Sequence, residues 1–311
     1  MRFGAAFWVQ RTDWPSLREA ALEAETAGFD SLWIDDHLLC DEGDWTSSKL
    51  EGWCVAAALA AVTRRATIGH LVVANTLRNP GVTAKQVVTL DHVSGGRAVL
   101  GIGGGWFARE HEAFGLDFGG GIGERLDRLG EAVEIISRLL EGERLDLEGR
   151  FYTMRAAVCE PRPVGGRLPI LIGGSGPRKT LPLVARFADL WNAYGTPNEL
   201  STKDALLREL CAAVGRDSSV IERTANHNVV IRDDLVRAEA DWRKWLRIHR
   251  PEDRAERVLV GGPPTAVADA LRPFVDAGFR HLIWIFRSPW DLETIRRLPE
   301  VRTLLEATER S

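Results

Sequence analysis

The feature that most limits the fold is one unit repeated. Short apolar runs, rich in β-branched and aromatic residues, alternate with longer helical segments eight times along 311 residues. The strand-like runs are RFGAAFWV (2–9), FDSLWID (29–35), ATIGHLVVAN (66–75), RAVLGIGGG (97–105), PILIGG (169–174), DLWNAY (189–194), TANHNVVIR (224–232) and RHLIWIF (280–286). The unbroken apolar character of 66–75 suits a strand covered on both faces. Between the runs lie helix signals: Asp13 as an N-cap with Pro15 in the first turn and Gly28 at the end, then 51–65, 81–96, 122–142, 177–188 and 264–278. Eight alternations without a linker specify a single (β/α)8 TIM barrel over 1–311, carrying insertions. A dinucleotide-binding open sheet would place a glycine fingerprint after its first strand, which here ends Phe7-Trp8-Val9-Gln10. LDLEGRFYTM (145–154) reads as a small hairpin outside the barrel, and 234–262 as a helical insertion with Trp242 and Trp245 near its middle.

Composition removes several function classes. With 45% hydrophobic and 27% charged residues the chain has the balance of a globular enzyme rather than a disordered one. Its 40 basic and 44 acidic side chains are interspersed, so no basic face for nucleic acid is expected. Cys40, Cys54, Cys159 and Cys211 are scattered, which suggests isolated thiols in a reducing cytosol and neither a disulfide framework nor a zinc site. MRFGAAFWVQ lacks the apolar core of a signal peptide, and no apolar run is long enough to span a bilayer. A cytoplasmic enzyme is the expectation. Tryptophans are numerous, and Trp8, Trp33, Trp106, Trp191 and Trp284 lie in or just after strand runs. They fit either core filling or an aromatic cleft for a flat ligand.

Active sites of such barrels form at the C-terminal strand ends. The second run stops on Asp35-Asp36-His37. A carboxylate beside an imidazole can hold its tautomer and raise its pKa for proton transfer, yet His37 could equally cap a helix or bind a carbonyl. GIGGGW (101–106) allows close backbone approach to a ligand or simply a tight turn. IGGSG (172–176), followed by a helix at Pro177, suits a phosphate at a helix N-terminus or an ordinary turn. Arg78 either binds an anion or seals the barrel mouth against a carboxylate. In REHEAFG (109–115), Glu110 and His111 do not converge on a metal and read as a solvated helix face. No nucleophile elbow or metal-protease motif occurs, and no metal is expected.

Together AGFDSLWIDDH (27–37), LEGWCVAAALAAVTRRATIG (50–69), RNPGVTAKQVVTLDHVSGGRAVLGIGGGWFAREHEAFG (78–115), ERLDRLGEAVEII (124–136), PILIGGSG (169–176) and ARFADLWN (185–192) carry a resemblance. The chain resembles the luciferase-like monooxygenase superfamily, in particular its coenzyme F420-dependent oxidoreductase branch. The likeness runs to about the sixth strand and returns in GGPPTAVADALRPFVDAGFRHLIW (261–284). It implies a flat deazaflavin at the barrel mouth, a homodimer, and a small-molecule organic substrate. Asp36 and His37 match the pair beside the ring, His37 being the implied proton donor or acceptor and Asp36 its orienting partner. Leu71-Val72 matches a non-proline cis peptide behind the ring. Gly103, Gly104 and Trp106 match positions near the ring and its side chain, and Gly173, Gly174, Ser175 and Gly176 the loop that receives the cofactor phosphate.

Two positions depart from the pattern. His70 stands where relatives commonly carry a small or hydroxylated residue. Trp106 stands where the sugar-phosphate dehydrogenases of the branch carry a catalytic glutamate, which turns the expectation toward an apolar or aromatic substrate. The expected reaction is hydride transfer between C5 of the deazaflavin and a carbon of that substrate. The alternatives are an FMN-dependent monooxygenase using reduced flavin and O2, and a non-catalytic flavin-binding protein. The loop 38–49 and the insertion after Asp233 are expected to shape the substrate pocket.

Overall fold

A computed structural model describes residues 1–249 and 259–308. The first strand–helix unit follows its local signals. Asp13 accepts a hydrogen bond from the Ser16 N–H at 2.8 Å, and Gly28 closes the helix at φ 96°, where a side chain would be strained. The strands of the barrel are β1 (Arg2–Trp8), β2 (Ser31–Ile34), β3 (Thr67–His70), β4 (Ala98–Gly103), β5 (Ile170–Gly173), β6 (Leu190–Ala193), β7 (Glu222–Ile231) and β8 (His281–Arg287). All neighbours are parallel in chain order, and β8 returns to β1 in the register Arg2↔His281 to Trp8↔Arg287. The expected TIM barrel is therefore the fold.

The helices that matter for the site are α1 (Trp14–Ala27), α2 (Gly52–Val62), α3 (Pro80–Ser94), α4 (Ala108–Phe114), α5 (Ile122–Leu140), α6 (Thr180–Phe187), α7 (Pro197–Ala213) and α8 (Leu235–His249). Alternation along each strand sends one set of side chains outward to these helices and the other into the barrel. Phe3, Ala5 and Phe7 of β1 join the outer core, while Ala6 and Trp8 join an inner cluster with Trp33, Leu71, Val99, Leu171, Leu190, Ile283 and Ile285. Trp33 plugs the interior because its neighbours lack side chains. A Cβ on Gly4 would stand 2.9 Å from the Trp33 Nε1, and one on Gly69 would stand 3.1 Å from its ring. Trp33, Trp191 and Trp284 are thus core filling, each less than 2% exposed.

Three local expectations need correction. The run 66–75 is not one strand: β3 ends at His70, and the pair Val73–Ala74 resumes beside β4. The helix expected from Pro177 begins at Thr180, after a turn. REHEAFG forms α4, but Glu110 and His111 are its buried residues rather than a solvated face. The small hairpin is present as Leu145–Glu148 against Thr153–Ala157. In the stretch 234–262, α8 is followed by a strand, Leu259–Gly262, that pairs in parallel beside the end of β7; residues 250–258 of that stretch lie outside the described residues. Trp242 packs on Val230 and Ala238, which fastens α8 to the end of β7. No described helix is long and apolar enough to cross a membrane.

Candidate active site

The strand β2 is buried throughout and releases three polar residues at the mouth. Asp35 turns back into the wall, accepting the Val9 N–H at 2.9 Å and pairing with the buried Lys49 ammonium. Asp36 takes both arms of the Arg78 guanidinium, at 2.6 and 2.9 Å, and the Ala74 N–H at 3.2 Å. Arg78 also reaches Glu51 at 3.2 Å. Of the two roles open to Arg78, it fills the sealing one: a planar fork matched to a buried carboxylate.

Asp36 therefore does not orient His37, and that expectation is corrected. The partner of His37 is Glu110, 73 residues away, whose Oε1 lies 3.0 Å from the imidazole Nδ1. The other oxygen, Oε2, accepts the Leu38 N–H at 2.7 Å, and Glu110 is wholly buried. The His37 Nε2 stands 4.0 Å from Asp41. Trp106 and Phe107 pack edge-on around the ring, with centroids 5.4 and 5.8 Å away. Burial by itself would lower the His37 pKa. The hydrogen bond to Glu110 and the charge of Asp41 outweigh it, so the pKa is raised. Asp41 is opposed by burial but held below the usual carboxylate range by His37 and Lys49. Burial likewise opposes the Lys49 charge, yet Asp35 and Asp41 raise its pKa.

The floor of the mouth is apolar and free of side chains on two sides. The Leu71–Val72 peptide is cis. Val72 lies between strand ends: a Cβ on Gly103 would come 2.8 Å from it, and one on Gly173 3.0 Å. Gly101 faces the backbone even more closely, its Cβ position being 1.9 Å from the His70 carbonyl oxygen. Gly104 is half-buried, Gly174 exposed, and Trp106 48% exposed above them. The Gly174 N–H donates to the Asn192 carbonyl at 2.9 Å, whereas the amides of Ser175 and Gly176 meet no backbone carbonyl among the described residues. His70 faces away from the interior, against Trp53 with ring centroids 4.3 Å apart, and burial lowers its pKa.

The opposite wall is polar. Asn192 of β6 and Asn226 of β7 exchange amide hydrogen bonds at 2.8 and 3.2 Å. Arg287, the last residue of β8, bonds Asn228 and Glu42. Among the described residues no group of His, Cys, Asp and Glu is arranged to hold a metal ion. Of the residues read from the sequence, the structure brings His37, Val72, Gly103, Gly104, Trp106, Gly173, Gly174, Ser175 and Gly176 to one end of the barrel, with Leu71 in its inner cluster and Asp36 turned into the wall. Sequence reasoning missed Glu110, Asp41, Lys49 and Glu42. Their positions after strands β2 and β4 are the signal that pointed to the mouth; nothing in their spacing told which way they face.

This arrangement pairs a proton-handling imidazole with an open apolar floor suited to a flat ring. Residues 1–281 match the luciferase-like monooxygenase family. The chain is 33% identical over 299 residues to an F420-dependent glucose-6-phosphate dehydrogenase of Kineococcus radiotolerans, covering 86% of each chain. Among solved structures it superposes on an F420-dependent secondary alcohol dehydrogenase in complex with an F420-acetone adduct, with a TM-score of 0.84, 20% identity, and 97% and 99% of the two chains covered. A riboflavin lyase with modified FMN and substrate riboflavin has the same TM-score, 0.84, at 18% identity, with 99% and 92% covered.

Proposed function

The chain belongs to the luciferase-like monooxygenase family, and from that premise we propose that it is an F420-dependent oxidoreductase acting on a small apolar or aromatic organic substrate. The reading rests on one observation: His37, clamped by the buried Glu110, stands at a mouth whose floor is Val72 between two glycine strand ends. A side chain at Gly103 or Gly173 would fill that cradle. We read the chain as one barrel domain with 234–262 inserted, and as a homodimer, which light scattering of the purified chain tests.

When bound, coenzyme F420 supplies the hydride donor or acceptor at its ring. Val72 would support that ring from below, with Gly103, Gly104 and Trp106 along its edge. Gly173, Gly174, Ser175 and Gly176 would hold the anionic tail, the amides of Ser175 and Gly176 serving as donors. Glu110 engages the His37 Nδ1, so Nε2 is the atom left to give or take the proton that accompanies the hydride. Trp106 and Phe107 restrict the imidazole to one orientation and keep water from its faces.

Titrating the apoprotein with F420 and with FMN, read by quenching of tryptophan fluorescence, tests the cofactor. Preferential binding of FMN overturns the reading in favour of a flavin monooxygenase. Replacing His37→Ala should lower turnover by about 10²–10⁴ and leave F420 affinity nearly unchanged. Unaltered turnover removes His37 from the chemistry. Absence of turnover over a broad panel of alcohols, enones and nitro compounds would point to a binding protein instead.

A further inference from the structure

Positive charge is handled differently on the two sides of the mouth. Near the loops of Gly105 and Gly173–Gly176, Arg125 donates to the Gly105 carbonyl at 3.2 Å and lies over the Phe118 ring at 4.0 Å, while Arg178 is exposed. Neither has a carboxylate partner among the described residues. On the side walled by β1, β2, β7, β8 and the loop after β2, each buried cation is closed off. Lys49 lies between Asp35 and Asp41, and Arg78 between Asp36 and Glu51.

The most enclosed of these pairs is Arg287 with Glu42. The guanidinium sits over the Trp8 ring, 5.8 Å from its centroid. Its Nε donates to the Glu42 Oε2 at 2.7 Å, its Nη2 to Oε1 at 3.0 Å, and its Nη1 to the Asn228 Oδ1 at 3.0 Å. The Gln10 amide donates to the same carboxylate at 3.3 Å. Arg287 is 4% exposed and Glu42 1%. The pair is linked to the proton-handling atom through Asp41, which feels the charge of Arg287 and stands 4.0 Å from the His37 Nε2.

Building on the oxidoreductase reading above, we propose that this side of the mouth takes an uncharged organic substrate and turns away organic anions, and that Glu42 sets this preference by holding the charge of Arg287. An incoming carboxylate or phosphate could recruit Arg287 only by drawing it away from the buried Glu42 carboxylate. Lys49 and Arg78 each face two carboxylates, so neither offers an incoming anion an unopposed charge. An alcohol, aldehyde, ketone or amide meets no such barrier. The cofactor's anionic tail meets the other side, where Arg125 and Arg178 are available.

Calorimetric titration of the full chain with a matched pair, benzamide and benzoate, tests this without turnover. The wild type should bind benzamide at least about tenfold more tightly. Glu42→Gln should gain about tenfold or more for benzoate, and adding Arg287→Met should remove that gain. Equal or tighter benzoate binding by the wild type, binding of neither probe, or a folded Glu42→Gln chain with an unchanged preference overturns the proposal. Should Glu42→Gln fail to fold, the wild-type ratio decides, and the double variant, which removes both charges together, must retain the preference for benzamide. A chain that holds this preference but shows no F420-linked turnover sinks the reaction assigned above and leaves the charge selection standing.

Discussion

Asp36 and His37 are adjacent in the chain, and they belong to two different networks. The Asp36 carboxylate is closed on three sides by Arg78 and the Ala74 amide, at 2.6 to 3.2 Å. His37 turns the other way, to the carboxylate of Glu110 on α4, and leaves its Nε2 4.0 Å from Asp41. The extended backbone sends successive side chains in opposite directions, so neighbours at a strand end rarely serve each other. The bidentate guanidinium ties both oxygens of Asp36 to the wall. A single hydrogen bond to Nδ1 leaves His37 a free proton site. The first network joins β2 to the segment after β3; the second sets a titrating group.

The sharpest way to break that contrast is to remove Asp36. Asp36→Ala strands a largely buried guanidinium with only the half-exposed Glu51 and orphans the Ala74 amide. Breaking a buried pair in this way costs about 3–5 kcal/mol, which urea denaturation would read as a lowered midpoint. A chain of undiminished stability with collapsed turnover would move Asp36 into the chemistry and erase the distinction.

Glu110→Gln tests the second network and should have the next largest effect. Burial lowers the His37 pKa, and Glu110 is the strongest influence raising it, so the variant's pKa falls. The His37-dependent limb of the pH–rate profile then moves to lower pH whichever way the hydride runs. Turnover at the wild-type optimum should fall roughly tenfold, part of what a general acid or base supplies. Stability follows with a defined sign. A histidine whose folded pKa lies above the ordinary 6.5 contributes stability that is complete below that value and vanishes as pH rises through the folded pKa. The deficit of Glu110→Gln relative to the wild type should accordingly shrink as pH rises. A limb that stays in place would make Glu110 a packing residue only.

The barrel itself was readable because its signals are local. Asp13, Pro15 and Gly28 mark one helix, and alternation along β1 sorts Phe3, Ala5 and Phe7 from Ala6 and Trp8. The glycines of the mouth were readable for the same reason, since Gly103 and Gly173 end apolar runs. What escaped was partnership. Apolar periodicity cannot reveal that α4 turns Glu110 inward, because the contact with His37 spans 73 residues and the helix has seven. Nor could the run 66–75 disclose its break at Leu71–Val72, since every residue from Ile68 to Ala74 except Val72 is buried whichever path the backbone takes. Loop 38–49 carries Asp41, Glu42 and Lys49, and polar loop residues gain meaning only from the strand ends they meet.

Asp41→Asn should produce the smallest of these changes and the most discriminating one. Asp41 makes no hydrogen bond to His37; it acts by charge across 4.0 Å. Its influence on the imidazole ranks below the Glu110 hydrogen bond, and Lys49, on its far side, acts in the opposite direction. Neutralising Asp41 removes an attraction and leaves Lys49 facing the ring with less compensation, so the His37 pKa falls. The pH–rate limb should move in the same direction as with Glu110→Gln, by a smaller step, and turnover at the wild-type optimum should drop about fivefold, the scale of roughly 1 kcal/mol for one charge at this distance. Lys49 keeps Asp35, so its own pairing survives and stability should change little. Because both side chains are largely buried, added salt should leave the effect nearly intact, as it should the Glu110→Gln shift. A step larger than that of Glu110→Gln, or one toward higher pH, would mean that Asp41 rather than Glu110 governs the imidazole, and the line drawn between the two networks would have to move to the loop after β2.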